Sequence, residues 1–417
     1  MRSQWDYPAI AHFRAGIWYN LRQGETGMVM VAWSRERIAV AAYFAVLGFI
    51  CATWGSSIDD MKTLLDLTDS QQGWLLLSGP VGHLVSFTFA SAVVTRLGSR
   101  RCLILSASVY LCAALGMAAC FFFRAPVPFW CVAIAALGGA GNIFNISVNT
   151  QGGIVERRAG CTIMNSFHAM FSLLCLAGGL LALFAASWRV PVGWRFLAVI
   201  AVAIAAHIAF FPCLPKENDV SKKERGEGFR RPDMPLFLIG VAALVVMGCE
   251  GSISDWVGVF YRDSLNAVGG RVKWGFCAVA AMMTLGRFVT DRFVNRFGGV
   301  RVFRVHSALV AAGLAVAFLS PFSGLSGLPL HLFATAGYAV AGYGISALIP
   351  ILYSKANRTK SMPAGSAITF VGSMGFLGYF VWPPLIGHVA DATSLSLALG
   401  IFAVLILVCL FLRLADD

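Results

Sequence analysis

The stretch PLFLIGVAALVVMGCEGSISDWVGVFY, residues 235–261, is long and apolar enough to cross a lipid bilayer as a single helix. Two carboxylates interrupt the apolar run: Glu250 lies deep inside it and Asp255 lies near its far end. An ionised side chain at the centre of a membrane helix costs roughly 3 kcal/mol or more, which a partner or a function has to offset. The stretch therefore predicts a transmembrane helix that carries a functional acid.

A second stretch, RIAVAAYFAVLGFICATWGSSIDDMK at residues 37–62, has the same plan. It is an apolar span that ends in small residues followed by acids. When the two Gly-Ser pairs are aligned, Trp54 stands opposite Glu250 and Asp59 stands opposite Asp255. We expect each of these two helices to begin one copy of a repeated unit, so that the chain consists of two similar halves.

The composition is that of a protein with many membrane spans. The 417 residues are 58% hydrophobic and 12% charged, with a mean hydropathy of +0.75, whereas soluble domains carry about 25% charged residues. The net charge of +12 would suggest nucleic-acid binding in a soluble protein, but here Lys and Arg lie in short loops between apolar runs, where they orient a membrane protein. We therefore expect the lipid bilayer, and no nucleic acid, as a partner.

Twelve apolar runs predict twelve transmembrane helices, and hence an all-α membrane protein. The runs are 38–58, 73–94, 102–123, 128–150, 162–186, 193–214, 235–260, 274–294, 302–320, 329–353, 363–390 and 394–412. The polar stretch 215–234 separates the sixth run from the seventh and predicts a cytoplasmic linker. The expected organisation is a cytoplasmic tail at 1–36, a six-helix bundle at 37–214, the linker, and a second six-helix bundle at 235–417.

The basic residues predict the orientation in the membrane. They cluster after the second, fourth, eighth and tenth runs and in the linker, so both termini are expected in the cytoplasm. The loop after the seventh run is an exception, because it contains Arg262, Arg271 and Lys273.

Two heptapeptides repeat at equivalent places in the two halves. TRLGSRR at 95–101 and NRFGGVR at 295–301 both lie between the second and third runs of their half. They resemble the loop motif Gly-x-x-x-Asp-Arg-x-Gly-Arg-Arg of the major facilitator superfamily, although the acid of that motif is missing. The resemblance implies two pseudo-symmetric six-helix bundles that transport by alternating access, with gating contacts from Arg96, Arg100, Arg296 and Asp291, which lies one turn before the second heptapeptide.

Three further stretches resemble the YbjJ-type branch of that superfamily, close to the fucose and sugar permeases. They are NISVNTQGGIVERRAGCTIMNSFHAMFSL at 145–173, CEGSISDW at 249–256 and GRFVTDRFVNRFG at 286–298. The resemblance to this bacterial branch implies transport of a solute rather than catalysis, and it implies a location in the bacterial inner membrane.

Glu250 is the strongest candidate for proton coupling, because a carboxyl group in a low-dielectric environment can exchange a proton near neutral pH. The alternative is a structural acid that ties two helices together. His168 is a second candidate for proton transfer, or else a hydrogen-bonded histidine without a transport role. Asp255 and Asp59 lie nearer the membrane surface, where we expect them to form gate or helix-end contacts.

Substrate contacts are expected from amides and aromatic rings. In the fourth run, asparagines at spacings of three and four share one helix face, where they would either line a polar cavity or bond a neighbouring helix. Amides suit an uncharged polyhydroxy solute because they both donate and accept hydrogen bonds. The expected substrate-binding residues are Trp54, Asn142, Asn145, Asn149, Asn165, Tyr343 and Tyr379.

These features predict a secondary active transporter that moves a small, polar, sugar-like solute together with protons. The alternative within transport is proton-driven efflux of drugs or other amphipathic compounds, which the many aromatic residues would suit. A lipid-modifying enzyme would need a nucleophile or a metal-ligand cluster, and the sequence shows neither; a sensor that binds without transporting is a third possibility. We expect no cofactor, no metal site and a monomeric protein.

Overall fold

The computed structural model describes residues 34–159, 163–216, 231–359 and 364–410, together with the backbone of two short strands at 17–20 and 28–31. Within the helices, the side chains of residues 91, 95, 165, 291, 364, 365 and 410 lie outside the described part. The predicted roles of the Asn165 and Asp291 side chains, most of the tail and most of the linker therefore fall outside it. The predicted division into domains stays a prediction.

Fourteen α-helices make up nearly all of the described chain. They are α1 (Arg35–Gly55), α2 (Ile58–Leu65), α3 (Asp69–Leu76), α4 (Ser78–Leu97), α5 (Ser99–Phe123), α6 (Val127–Ala159), α7 (Met164–Ser187), α8 (Val192–Phe210), α9 (Met234–Val259), α10 (Trp274–Phe297), α11 (Gly299–Leu319), α12 (Gly327–Asn357), α13 (Ala364–Ala392) and α14 (Leu395–Leu410). Short 3-10 turns cover Phe211–Cys213, Gly269–Lys273 and Ser320–Phe322, and a π-helical turn covers Phe260–Ser264. The antiparallel strands β1 (Ile17–Asn20) and β2 (Met28–Val31) precede α1.

Eleven helical segments of the described chain are long and apolar enough to cross a membrane. The twelfth predicted span corresponds to α14, which is shorter in its described part. Two predicted spans continue into a second helix: α2 follows α1 after the turn at Ser56 and Ser57, and α3 leads into α4 through Leu77. The prediction of an all-α membrane protein with about twelve spans is confirmed.

The two repeated heptapeptides have the same backbone conformation. Gly98 ends α4 at φ 78° and ψ 150°, and Gly298 ends α10 at φ 83° and ψ 150°. A positive φ is accessible to glycine but strained for other residues, which explains why both copies have glycine at this point. Each glycine N–H donates to the carbonyl of Val94 or Val294, and each glycine carbonyl accepts the first helical bond of the next helix.

The same packing pairs recur in the two sets of helices. The pairs α1–α7, α4–α6, α5–α6 and α5–α8 of the first set correspond to α9–α13, α10–α12, α11–α12 and α11–α14 of the second. We call α1–α8 the first half and α9–α14 the second half. The halves meet chiefly through α7 against α10 and through α3 against α13.

Glycines allow several of these helices to approach closely. A Cβ atom on Gly82 of α4 would overlap the carbonyl group of Ala135 on α6, and one on Gly138 of α6 would overlap the carbonyl of Gly79. In the second half, a Cβ on Gly313 of α11 would lie 2.5 Å from the carbonyl oxygen of Gly337 on α12. Small residues at such crossings are the usual means of packing helices within a membrane.

Candidate functional site

A charged pair lies at mid-length between the two halves. Arg287 of α10 has its Nη2 atom 3.8 Å from Oε1 of Glu250 on α9, and its Nη1 atom donates a 2.7 Å hydrogen bond to Ser172 Oγ on α7. His168 lies one helical turn before Ser172, and its ring packs edge-on against Phe44 at 5.1 Å. We call His168, Ser172, Glu250 and Arg287 the central cluster. The arrangement joins one helix of the first half to two helices of the second.

The central cluster is open on one side. The side chains of Glu250 and Arg287 are 27% and 37% exposed, and His168 is exposed. His168 faces away from lipid, because α7 exposes Leu173, Leu180 and Phe184 on its other side, about 120° or more around the helix at about 100° per residue. The exposure of the central cluster is therefore to the space between the halves.

The fourth predicted span contributes an amide to the same space. Asn145 on α6 is exposed, yet it lies about 140° or more around the helix from the exposed Phe129 and Val132. Asn149 Nδ2 donates to Asn145 Oδ1 at 2.9 Å and to the Asn145 carbonyl at 2.8 Å. These two amides form a hydrogen-bonded pair on the face of α6 that lies away from Phe129 and Val132.

Asn142 has a different environment from the other two asparagines. It is buried, and its Nδ2 atom donates to Ser86 Oγ on α4 at 2.8 Å and to the His83 carbonyl at 3.4 Å. The structure thus places Asn142 in a contact between α4 and α6, and it separates this amide from the exposed pair.

Two tyrosines of the second half lie near Glu250 of α9. Tyr379 of α13 packs against Gly251, where an added Cβ would lie 2.5 Å from the ring. Tyr353, Tyr379 and Cys51 lie close enough to Glu250 to interact with its charge. Among the predicted aromatic contacts, the structure therefore brings Tyr379 to the central cluster.

The other two aromatic candidates lie apart from that group. Trp54 is half-buried near the end of α1 and packs against the core. Tyr343 stacks on the buried ring of His306, with ring centroids 5.3 Å apart, and His306 Nδ1 lies 3.0 Å from the Gly344 carbonyl. Tyr343 is thereby held against α11.

A second group of charges lies at the end of the bundle where α1 leads into α2. Lys273 Nζ contacts Asp59 Oδ1 at 2.6 Å and Asp60 Oδ2 at 2.8 Å, and Arg195 Nη2 contacts Asp60 Oδ2 at 2.7 Å. Arg262 Nη2 lies 2.7 Å from Asp59 Oδ2. We call these five residues the ion-pair cluster. The side chains of Asp59 and Lys273 are each only 2% exposed, so their charges compensate each other out of contact with solvent.

Further contacts at this end join the two halves. Lys62 Nζ bridges Asp69 at 2.6 Å and Asp263 at 2.5 Å. The carboxylate of Asp391 on α13 accepts hydrogen bonds of 3.0 Å from the backbone N–H groups of Asp69 and Ser70. Because these are the first two residues of α3, a carboxylate from the second half occupies the positive end of a helix from the first half. The structure is closed at this end.

The remaining predicted gate residues make fewer contacts. Asp255 is half-buried and has no ion-pair partner within 4.0 Å in the described part of the chain. At the opposite end of the bundle, Arg100 Nη2 donates to the Phe211 carbonyl at 3.3 Å, Arg296 lies over the ring of Phe297 at 5.3 Å, and Arg96 is exposed. The contacts of Arg100 and Arg296 are therefore each made within one half and do not join the two halves.

Sequence reasoning missed the cations that pair with the predicted acids. Arg287 is a basic residue inside the eighth apolar run, and the cost of a charge at that depth could have identified it. Arg262 and Lys273 were the exception to the predicted orientation. The structure gives the reason, since both are bound by Asp59 and Asp60 and so act as counter-ions.

Comparison with known proteins agrees with this architecture. The sequence profile described as Major Facilitator Superfamily matches residues 38–363. The chain belongs to the major facilitator superfamily. A superfamily protein of this kind is a transport protein rather than an enzyme, and the chain crosses the membrane many times. The finer resemblance to the YbjJ-type branch stays a prediction.

Two relatives of this superfamily member align over most of their length. An uncharacterised MFS-type transporter of Yersinia pestis is 28% identical over 382 residues, covering 89% of this chain and 93% of the relative. An uncharacterised transporter of Sinorhizobium fredii is 29% identical over 375 residues, covering 88% and 96%. These relatives are named as transporters.

Solved structures of the superfamily share the fold. The nucleoside transporter NupG superposes with a TM-score of 0.67 at 15% identity and covers 90% of this chain and 96% of its own. A D-xylose-proton symporter superposes with a TM-score of 0.67 at 14% identity, covering 91% and 97%. At these identities the similarity establishes the fold alone.

Proposed function

We propose that this protein is a secondary active transporter that moves a small polar solute across a bacterial inner membrane together with protons. The observation that carries the proposal is the contrast between two charged groups. The Asp59–Lys273 pair, which joins the two halves, is only 2% exposed, whereas Glu250 and Arg287 are 27% and 37% exposed in the space between the halves. A site that is closed at one end and reachable in the middle is what alternating access requires.

The proposed orientation places the ion-pair cluster at the external surface. The basic segments of the sequence then lie in the cytoplasm with both termini, and the central cluster faces the cytoplasmic side. Opening to the outside would separate Asp59 from Lys273 and Asp391 from the start of α3. Binding energy of the solute and the proton would have to offset the loss of these contacts.

Proton coupling is assigned to Glu250, with His168 on the same face of the site. Arg287 is close enough to stabilise the ionised carboxylate, yet at 3.8 Å it is not locked to Glu250 by a hydrogen bond. Glu250 can therefore bind a proton and give up its interaction with Arg287 when the transporter changes conformation. The substrate would contact Asn145, Asn149 and Tyr379. The structural relatives named for their substrates handle nucleosides and D-xylose, which supports a polar, hydroxylated solute.

Replacing Glu250 with glutamine tests the coupling. The purified protein would first be screened by thermal stability against pentoses, hexoses, nucleosides and sugar acids, and the most stabilising solute would be used in proteoliposomes. We expect Glu250→Gln to lose pH-driven accumulation and to retain exchange of solute, because the amide keeps the shape of the side chain without binding a proton. Glu36→Gln, at an exposed ion pair with Arg158, is the control. Concentrative uptake by Glu250→Gln at the wild-type level would contradict the assignment.

Efflux of amphipathic compounds is the second candidate. It is supported by rings between the halves, including His83 of α4 against Phe376 of α13 at 4.3 Å and Phe376 beside Tyr379 at 5.9 Å. An expressing strain with raised resistance to cationic dyes, and no uptake of polar solutes by proteoliposomes, would favour efflux.

A further inference from the structure

Arg287 places a permanent positive charge between the two halves, and its counter-ion is held loosely. The 3.8 Å separation from Glu250 Oε1 exceeds hydrogen-bonding distance, and the one hydrogen bond that the guanidinium donates within the described part of the chain goes to the neutral Ser172 hydroxyl. A guanidinium has five donors in a planar fork that matches a carboxylate. Most of this fork is free to bind a ligand, and the side chain is 37% exposed to the space where a solute would lie.

The charge of the central cluster depends on the protonation of Glu250. When Glu250 is ionised, it neutralises Arg287. When Glu250 takes up a proton, Arg287 is left without this counter-ion, and its guanidinium is then available to an anionic ligand. An anionic solute that binds together with the proton would compensate the positive charge of Arg287. The pair therefore favours binding of a proton and an anion together over binding of either one alone.

The other titratable groups around Glu250 do not supply a second fixed cation. From the elements packed against it they are Cys51 of α1, His168 and Cys175 of α7, Asp255 and Cys249 of α9 itself, Tyr353 of α12 and Tyr379 of α13. None of these groups is cationic at every accessible pH, so Arg287 is the one fixed cation among the described side chains that interact with Glu250. One fixed positive charge matches a single carboxylate, and a phosphate dianion would leave one negative charge unmatched.

We propose that the central cluster selects a hydroxylated monocarboxylate of the sugar-acid class, with the solute carboxylate on Arg287 while Glu250 holds a proton. This inference rests on the proposed function and specifies its substrate. The amides of Asn145 and Asn149 would bind the hydroxyl groups of the solute. Transport of one proton with one monoanion moves no net charge, so the proposed transport is electroneutral.

Binding to the purified protein tests the selectivity. The probes are D-gluconate, D-glucuronate and glycerate, their neutral counterparts glucose and glycerol, and glucose 6-phosphate, each measured by the rise in melting temperature over a concentration series. At least one monocarboxylate should stabilise the protein at concentrations where its neutral counterpart does not. Arg287→Gln should weaken that binding roughly 10- to 100-fold, and Arg287→Lys by less, because lysine keeps the charge but not the fork. Arg304→Gln, at an exposed arginine of α11, is the matched control and should bind as the wild type does.

Each other outcome overturns the inference. It is overturned if no monocarboxylate raises the melting temperature, or if an acid and its neutral counterpart stabilise the protein equally. It is also overturned if Arg287→Gln binds the acid as tightly as the wild type does, or if the protein prefers glucose 6-phosphate. If either Arg287 variant fails to fold, the test rests on the wild-type protein alone, whose stabilisation by each acid is compared with its stabilisation by the neutral counterpart.

Transport in proteoliposomes separates this inference from the proposed function. A pH gradient alone should drive uptake of the bound acid, and a membrane potential set with valinomycin at equal pH should not. Uptake of a neutral hexose driven by both the pH gradient and the potential would leave the proposed function standing and refute the carboxylate specificity. Uptake of the acid that is unaffected by Glu250→Gln would instead refute the proton coupling.

Discussion

Replacing Lys273 with methionine is expected to destabilise the folded protein by about 3–5 kcal/mol, because it leaves the buried carboxylate of Asp59 without its main counter-ion. Lys273 and Asp59 are each 2% exposed, so water cannot take over the role of the ammonium group. Asp60 would be less affected, since Arg195 still contacts it at 2.7 Å. The measurement is the melting temperature of purified protein, and the expected change is a large decrease.

A double variant distinguishes the loss of an ion pair from the loss of packing. Asp59→Asn combined with Lys273→Met should recover much of the stability, because the buried charge and its partner are then both absent. Glu36→Gln, which breaks the exposed pair with Arg158, should change stability by less than about 1 kcal/mol. If Lys273→Met melts as the wild type does, the ion-pair cluster does not hold this end of the protein closed.

Replacing Gly82 with alanine is expected to reduce the yield of folded protein to a small fraction of the wild-type yield. Alanine is favoured over glycine in a helix by about 1 kcal/mol, so an unpacked site would gain stability. At Gly82 the added methyl group overlaps the backbone carbonyl of Ala135, and a backbone atom cannot move aside as a side chain can. Separating α4 from α6 would cost about 3 kcal/mol or more, which outweighs the gain in helix propensity.

Gly116 of α5 provides the matched control. A Cβ at Gly116 would lie 3.9 Å from the Cβ of Ala133, an ordinary contact distance, so Gly116→Ala should be neutral or slightly stabilising. The measurement is the yield of monodisperse protein on size exclusion together with the melting temperature. Equal yields for the two alanine variants would show that the α4–α6 crossing is more tolerant than its geometry indicates.

The apolar runs predicted the spans because each span buries its own backbone hydrogen bonds, which makes a membrane helix a local property of the sequence. The repeat was equally accessible, since Gly98 and Gly298 lie in the same sequence context and adopt the same conformation. Partners between helices are not local. Arg287 and Ser172 are 115 residues apart, and Lys273 and Asp59 are 214 apart, so no pattern within one helix indicates that they meet.

The asparagines of α6 show the same limit within a single helix. Asn142, Asn145 and Asn149 share a face, and the spacing alone allowed either a polar lining or a bond to a neighbouring helix. The structure shows Asn142 bonded to Ser86 and the other two amides paired with each other near the middle. The difference arises from Ser86, which lies on α4, so the spacing of the asparagines on α6 could not predict it.

The distribution of the ion-pair cluster over the chain has a consequence for biogenesis. The aspartates lie in the half that the ribosome makes first, and two of the cations lie in the half made last. Within the described residues, both ion-pair partners of Asp59 come from the second half, so the nascent chain carries an unmatched charge until Arg262 and Lys273 have been inserted. We expect the first half expressed by itself to be a substrate for quality-control proteases, and co-expression of the second half to protect it.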